Sequence, residues 1–226
     1  MPQQYTYLLL DVLSVLFPFL LSFDKKVAFY KNFYRLFPSI AITATVFIVW
    51  DIWFTISGVW SFSEIYTLPI RLWSLPIEEI LFFICVPYAC IFTYEVFKTY
   101  FPTGADFKYA SQTHLILLPF FILVILLYYN QLYTTIATSV SLALAIIVQY
   151  IKPLKWLGYF YTGYFISLIP FLIINGILTS LPVVSYNPAE NTGFRILTIP
   201  IEDSAYLYAM LLMNILLYEE VFKKKN

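Results

Sequence analysis

Seven stretches of this chain run on with hardly a charge in them: 5–23, 37–57, 76–97, 113–129, 131–150, 157–179 and 199–218. A helix needs about 20 mainly apolar residues to cross a hydrocarbon core. A backbone in lipid must also satisfy its own polar groups, which leaves helices and closed barrels. Runs of this length therefore predict an all-α integral membrane protein with seven transmembrane helices. Composition agrees, with 61% hydrophobic and 12% charged residues and a mean hydropathy of +0.80. A soluble domain would be about one-quarter charged. The weakest division is "YYNQ", Tyr128–Gln131, which alone separates the fourth and fifth runs.

Seven spans put the loops on alternate sides, and charge tests the count. Lys25, Lys26, Lys31, Arg35, Lys98, Lys108, Lys152, Lys155, Lys223, Lys224 and Lys225 fall on one side; Arg71 and Arg195 fall on the other. Merging the fourth and fifth runs would scramble this division. Basic residues mark the cytoplasmic side, so the expected protein is multi-pass in the cell (inner) membrane, with its N-terminus outside and its C-terminus cytoplasmic. The first run lacks a positive leader and a small-residue cleavage site, and reads as a span interrupted by Asp11, not as a signal peptide.

Other classes drop out on residue type. The net charge is zero and no basic tract exists, so no nucleic-acid partner is expected. Cys85 and Cys90 have no CxxC spacing and read as small buried hydrophobes. One histidine, His114, leaves no multi-histidine metal site, and no metal is expected. Most of the aromatic side chains, 21% of the chain, suit interfacial belts at span ends.

The chain also repeats itself. Aligning Asp51 with Asn175 carries 45 residues without a gap to Glu95 and Glu219, with ten identities. Among them are Thr55/Thr179, Ser61/Ser185, Arg71/Arg195 and Pro76-Ile77-Glu78 against Pro200-Ile201-Glu202. The repeats end alike, in "YEVFK" (94–98) and "YEEVFK" (218–223). The expected organisation is a first repeat over 1–98, a loop and linking helix over 99–130, and a second repeat over 131–226. One linking span gives both halves the same orientation, a 3+1+3 arrangement of parallel repeats about an axis along the membrane normal.

Each repeat spends two adjacent carboxylates at the mouth of an apolar helix: "SLPIEEILFF" with Glu78 and Glu79, and "TIPIEDSAYL" with Glu202 and Asp203. Proline opening a helix and acids in its first turn are favourable in themselves. Symmetric doublets on one side of a membrane, each seven residues after an arginine, point further, since ionisable groups in spans mark functional sites. Two adjacent carboxyls with little water cannot both ionise cheaply, so one keeps a proton while its neighbour can stay charged. Arg71 and Arg195 would hold the charged member, or else snorkel to the interface. Asp51 and its counterpart Asn175 would hydrogen-bond in the bundle core, at the site or as a polar clamp. Asp11 could join the site or face a helix. Phe82 and Tyr206 stand one turn beyond Glu78 and Glu202, and aromatic faces stabilise cations. An acid, a base and π-faces suit proton-initiated carbocation chemistry on an isoprenoid.

These motifs, with "DIWFTISGVWSF" (51–62) and "INGILT" (174–179), resemble the duplicated lycopene cyclase domain of small membrane carotenoid cyclases, in its fused single-chain form. The resemblance implies conversion of the ψ end groups of lycopene to β-ionone rings, giving β-carotene through monocyclic γ-carotene without net redox change. Identity of the first acid in both repeats favours Glu78 and Glu202 as the principal acid/base residues, with Glu79 and Asp203 as their partners. No G-x-G-x-x-G occurs among six glycines, so no cofactor is expected. Partners would be the lipophilic carotenoid and membrane lipid; self-association and contact with other carotenoid enzymes stay open. A small 3+1+3 transporter and a cyclase for C50 carotenoids are the alternatives. A retinal protein is excluded because 199–218 holds no lysine for a Schiff base, and a prenyltransferase because spaced aspartate clusters are missing.

Overall fold

The structure, a computed structural model, describes residues 2–102, 107–150 and 155–223. Seven α-helices carry the chain: α1 Thr6–Leu21, α2 Phe33–Ile56, α3 Ile77–Tyr100, α4 Phe107–Leu127, α5 Leu132–Tyr150, α6 Leu157–Ser180 and α7 Glu202–Leu216. Among the described residues, six of these helices are long and apolar enough to cross a membrane. α7 is the exception, and its position explains why. Leu207, Ala209, Met210, Leu211, Leu212 and Ile215 are all buried, and α2, α3, α5 and α6 pack around it. A helix walled by protein need not be uniformly apolar, so Asn214 and three tyrosines (Tyr206, Tyr208 and, just beyond, Tyr218) sit in it or at its end.

The internal repeat is visible in the packing. α1 lies on α3 as α5 lies on α7, and α3 meets α6 as α7 meets α2. Short strands β1 Trp60–Phe62 and β4 Val184–Tyr186 pair antiparallel, Ser61 opposite Ser185. Those two serines are equivalent in the repeat, so the register is the one a two-fold axis through the pair requires. Two hairpins match as well: β2 Arg71–Leu72 with β3 Leu75–Pro76, and β5 Arg195–Ile196 with β6 Ile199–Pro200. Pro76 is thus extended backbone just outside α3, not its first helical residue. α4, which has no counterpart, packs on α5 and α6.

Both hairpin turns put a bulky residue in the left-handed region, Trp73 at φ 52° and Leu197 at φ 58°. Such a residue costs about 1–2 kcal/mol there, and glycine does not. Leu197 is 90% exposed and has no packing to lose. Leu197→Gly should therefore raise the thermal midpoint in detergent; a lower midpoint would show that the leucine contributes more than its strain.

The helix ends opposite the hairpins gather charge. Arg35 is buried between Glu95 at 3.4 Å and Glu219 at 3.8 Å, the equivalent acids of the two repeats. Its guanidinium also lies 4.0 Å from the Tyr218 ring. Lys98 bridges the same two acids, and Tyr94 donates to Glu219 at 2.8 Å. Here the second repeat carries one extra residue, Glu220, and the backbone absorbs it as a π-turn over Leu217–Val221, a form that arises inside α-helices as a single-turn bulge. Glu220 then accepts from Trp156 Nε1 at 2.6 Å. Removing Glu219 leaves Arg35 and Lys98 to share Glu95 and takes the acceptor from the Tyr94 hydroxyl. Glu219→Ala should accordingly lower unfolding stability by about 1.5–3 kcal/mol, the order of a hydrogen bond to a charged group, measured by denaturant titration in detergent.

Candidate active site

At the hairpin end the two members of each acidic doublet have different surroundings. Glu78 Oε1 accepts from the Leu68 N–H at 2.7 Å, and Glu202 Oε1 from the Thr192 N–H at 2.7 Å. Leu68 and Thr192 are equivalent in the repeat. Each first carboxylate thus ties down the loop leading into its own hairpin; Glu202 also accepts from Thr134 Oγ1 at 2.7 Å. Neither lines the central cavity. A backbone N–H away from water needs an acceptor, which one oxygen of each residue supplies; the other oxygen, Oε2, is buried without a partner in both, and Glu202 lines a separate cavity among α4, α5, α6 and α7.

The second carboxylates face inward. Glu79, Asp203, Phe82 and Tyr206 line one cavity of about 50 Å³, with Tyr7, Trp60, Phe171 and Asn175 among their neighbours on its wall. The volume suits a few water molecules. Helices and strands of both repeats contribute, so the cavity lies where the repeats meet. Its walls are mostly π-faces: Trp60 stands 5.2 Å from Tyr133 edge to face, and Tyr133 stacks on Tyr186 at 5.9 Å. The Tyr206 ring rests against Trp50 at 4.8 Å.

Hydrogen bonds separate the two inward carboxyls further. Asp203 collects three donors: Tyr133 OH at 2.6 Å, Tyr186 OH at 2.9 Å and Asn175 Nδ2 at 3.0 Å. All three of these hydrogen-bond partners donate, as they would to a carboxylate. Glu79 accepts from Tyr7 OH at 2.5 Å, and the carboxyl of Asp51, whose Oδ2 has no other hydrogen-bond partner, lies beside it. Asp51 is held in turn by Trp60 Nε1 at 2.5 Å and is buried. Two carboxyl groups can share a hydrogen bond only if one carries a proton, because an ionised carboxylate has nothing to donate. Asn175 occupies the position of Asp51 in the second repeat and donates an amide proton that it cannot release. The two repeats differ in chemistry at this pair.

Arg71 and Arg195 are not brought to the carboxylates. Each spans its own hairpin turn, Arg71 Nη1 to the Ser74 carbonyl at 3.1 Å and Arg195 Nη1 to the Thr198 carbonyl at 2.7 Å. With both groups at the exposed rim, their identity in the two repeats reflects the turn they close. Asp11 is buried one turn after Tyr7, and its Oδ2 has no hydrogen-bond partner. His114 is satisfied in the core, one nitrogen donating to the Ala145 carbonyl at 2.7 Å and the other facing Tyr161 OH at 2.8 Å.

Sequence reasoning missed Tyr7, Tyr133, Tyr186, Trp60 and Phe171. Tyr7 and Tyr133 do equivalent work on Glu79 and Asp203, but they are 126 residues apart where the gapless repeat runs at 124. They lie upstream of the gapless alignment, and carrying it back past its gap would have paired them.

The model of one protein family, described as lycopene cyclase, matches residues 4–97 and again 130–221. The chain belongs to the lycopene cyclase family. It carries the family's domain twice, and membership makes it an enzyme acting on lipophilic carotenoids. The lycopene cyclase matches flank α4, which no part of the family model covers. No curated protein and no solved structure is matched.

Proposed function

We propose that this chain is a lycopene β-cyclase that closes ψ end groups to β-ionone rings by proton-initiated, non-redox cyclisation in the membrane. The observation that carries the reading is Glu79, with the Asp51 carboxyl behind it, facing Asp203 across one cavity walled by aromatic rings. In this scheme the shared proton passes from that pair to the terminal double bond, leaving a tertiary cation. The next double bond attacks it, and a carbon–carbon bond closes the ring. Trp60, Tyr133 and Tyr206 present π-faces to the cation, worth about 2 kcal/mol where water is excluded. Asp203 removes a ring proton to form the new double bond. One proton is gained and one lost, and it returns to Glu79 across the shared cavity. Glu78 and Glu202 hold the loops that roof the site.

The membrane arrangement proposed is 3+1+3, N-terminus outside. It is supported by Lys26 against Tyr100 and by the cluster of Arg35, Lys98 and Lys223 on Glu95 and Glu219, basic residues gathered at the end away from the hairpins. The cavity would then lie near the outer face.

Expression in a lycopene-accumulating host, with pigments separated by chromatography, tests the assignment. γ-Carotene and β-carotene are expected; unchanged lycopene would refute cyclisation, and ε rings would refute the ring type. Asp51→Asn, which copies the second repeat into the first, should lower turnover at least about tenfold by removing the releasable proton. Wild-type turnover in that variant would place the proton elsewhere.

A further inference from the structure

A cavity that holds a few waters cannot by itself hold a carotenoid, whose end group is followed by a long rigid chain. A second cavity, of about 410 Å³, runs between α1, α3 and α6. Its walls include Leu10, Phe17, Ala89, Thr93, Ile173 and Ile177, and no charged residue contributes. Leu10 to Phe17 spans seven residues of α1, so the groove extends about 10 Å along the helices. Phe17 is 66% exposed and Ile173 60%, which opens it sideways onto the apolar face of the bundle.

Phe171 lines both this groove and the carboxyl cavity. Next to it Pro170 sits inside α6, and Pro18 of α1 lies across the groove. A proline inside a helix removes an i→i−4 hydrogen bond and loosens the turn around it. The larger cavity between α4, α5, α6 and α7, about 550 Å³, shares no lining residue with the carboxyl cavity. Its size therefore does not make it the route.

We propose that the groove between α1, α3 and α6 takes the polyene chain of the substrate, with Phe171 as the gate through which the end group reaches Glu79 and Asp203. This rests on the cyclase reading above. The chain behind a bound end group must leave the site somewhere, and this groove shares a wall with it at Phe171. Walls that are mainly apolar, with the hydroxyls of Ser14, Thr93 and Ser167 and no charge, suit a hydrocarbon, and the lateral opening lets it arrive from lipid.

Ala89→Trp fills the groove from α3 without touching the carboxyl cavity. With purified full-length protein in liposomes, it should raise KM for lycopene at least tenfold. A short linear isoprenoid with the same end group, too short to extend past Phe171 as far as Ala89, should be turned over within twofold of wild type. Leu117→Trp, in the larger cavity, should change neither. Wild-type handling of lycopene by Ala89→Trp, equal loss of both substrates, or loss of lycopene turnover in Leu117→Trp would each overturn the assignment. Binding is read separately in a Cys85→Ser, Cys90→Ser, Ile173→Cys protein. Lycopene should slow maleimide labelling at position 173 at least fivefold over phospholipid alone; equal rates would mean that lipid chains occupy the groove. If wild type cyclises neither substrate, the cyclase reading fails, while the labelling result still reports on the groove.

Discussion

Glu79→Gln should abolish ring closure, lowering turnover about 10²–10⁴-fold, the range for removing a positioned general acid. Glutamine keeps the size of the side chain and can still accept from Tyr7 OH and donate to Asp51, so the bundle has no reason to unfold. What it lacks is a carboxyl proton to share with Asp51 and release to an alkene. Glu78→Gln provides the contrast. Its Oε1 serves the Leu68 N–H, and the amide oxygen of glutamine can accept that bond unchanged. Glu78→Gln should leave turnover within a fewfold of wild type. Pigment ratios and purified-enzyme rates check both. A dead Glu78→Gln beside a live Glu79→Gln would reverse the roles given to the doublet.

That contrast marks where the sequence stops being legible. Helix number, the repeat and the doublets are all written in one dimension, as apolar runs, an offset of 124 residues and paired acids. The equivalence of Ser61 and Ser185 even foretells the register of β1 on β4. Which carboxylate of "PIEE" points inward is different in kind. Neighbours on a helix lie about 100° apart, so one faces the axis and the other the loop, and the choice depends on the hairpin that sets the phase of α3. Identity between repeats favoured Glu78 and Glu202. That identity fits a shared structural task, holding an N–H in each half, and the position that differs, Glu79 against Asp203, is the one facing the cavity. Arg71 and Arg195 carry the same lesson, conserving a turn between the halves. Phe171 lies four residues short of the gapless alignment and left no motif; it matters because two cavities meet at its ring.

Asp203→Asn should be as damaging as Glu79→Gln, about 10²–10⁴-fold in turnover, but for the opposite reason. Tyr133 OH, Tyr186 OH and Asn175 Nδ2 converge on its carboxylate. An asparagine there brings a fourth donor and removes the charge, leaving no group beside the ring cation to take its proton. The expected signature is specific: proton delivery from Asp51 and Glu79 survives, so the end group can still exchange hydrogen reversibly with solvent. In deuterated buffer, Asp203→Asn should return lycopene labelled at its ends while making little cyclic product. Glu79→Gln should return it unlabelled. Tyr186→Phe removes one of the three donors and keeps the carboxylate, so its loss should be smaller, about tenfold, reflecting one hydrogen bond to a charged group of about 1.5 kcal/mol. Unlabelled lycopene from Asp203→Asn would mean that Asp203 is needed before protonation, and the division of labour between the two repeats would have to be redrawn.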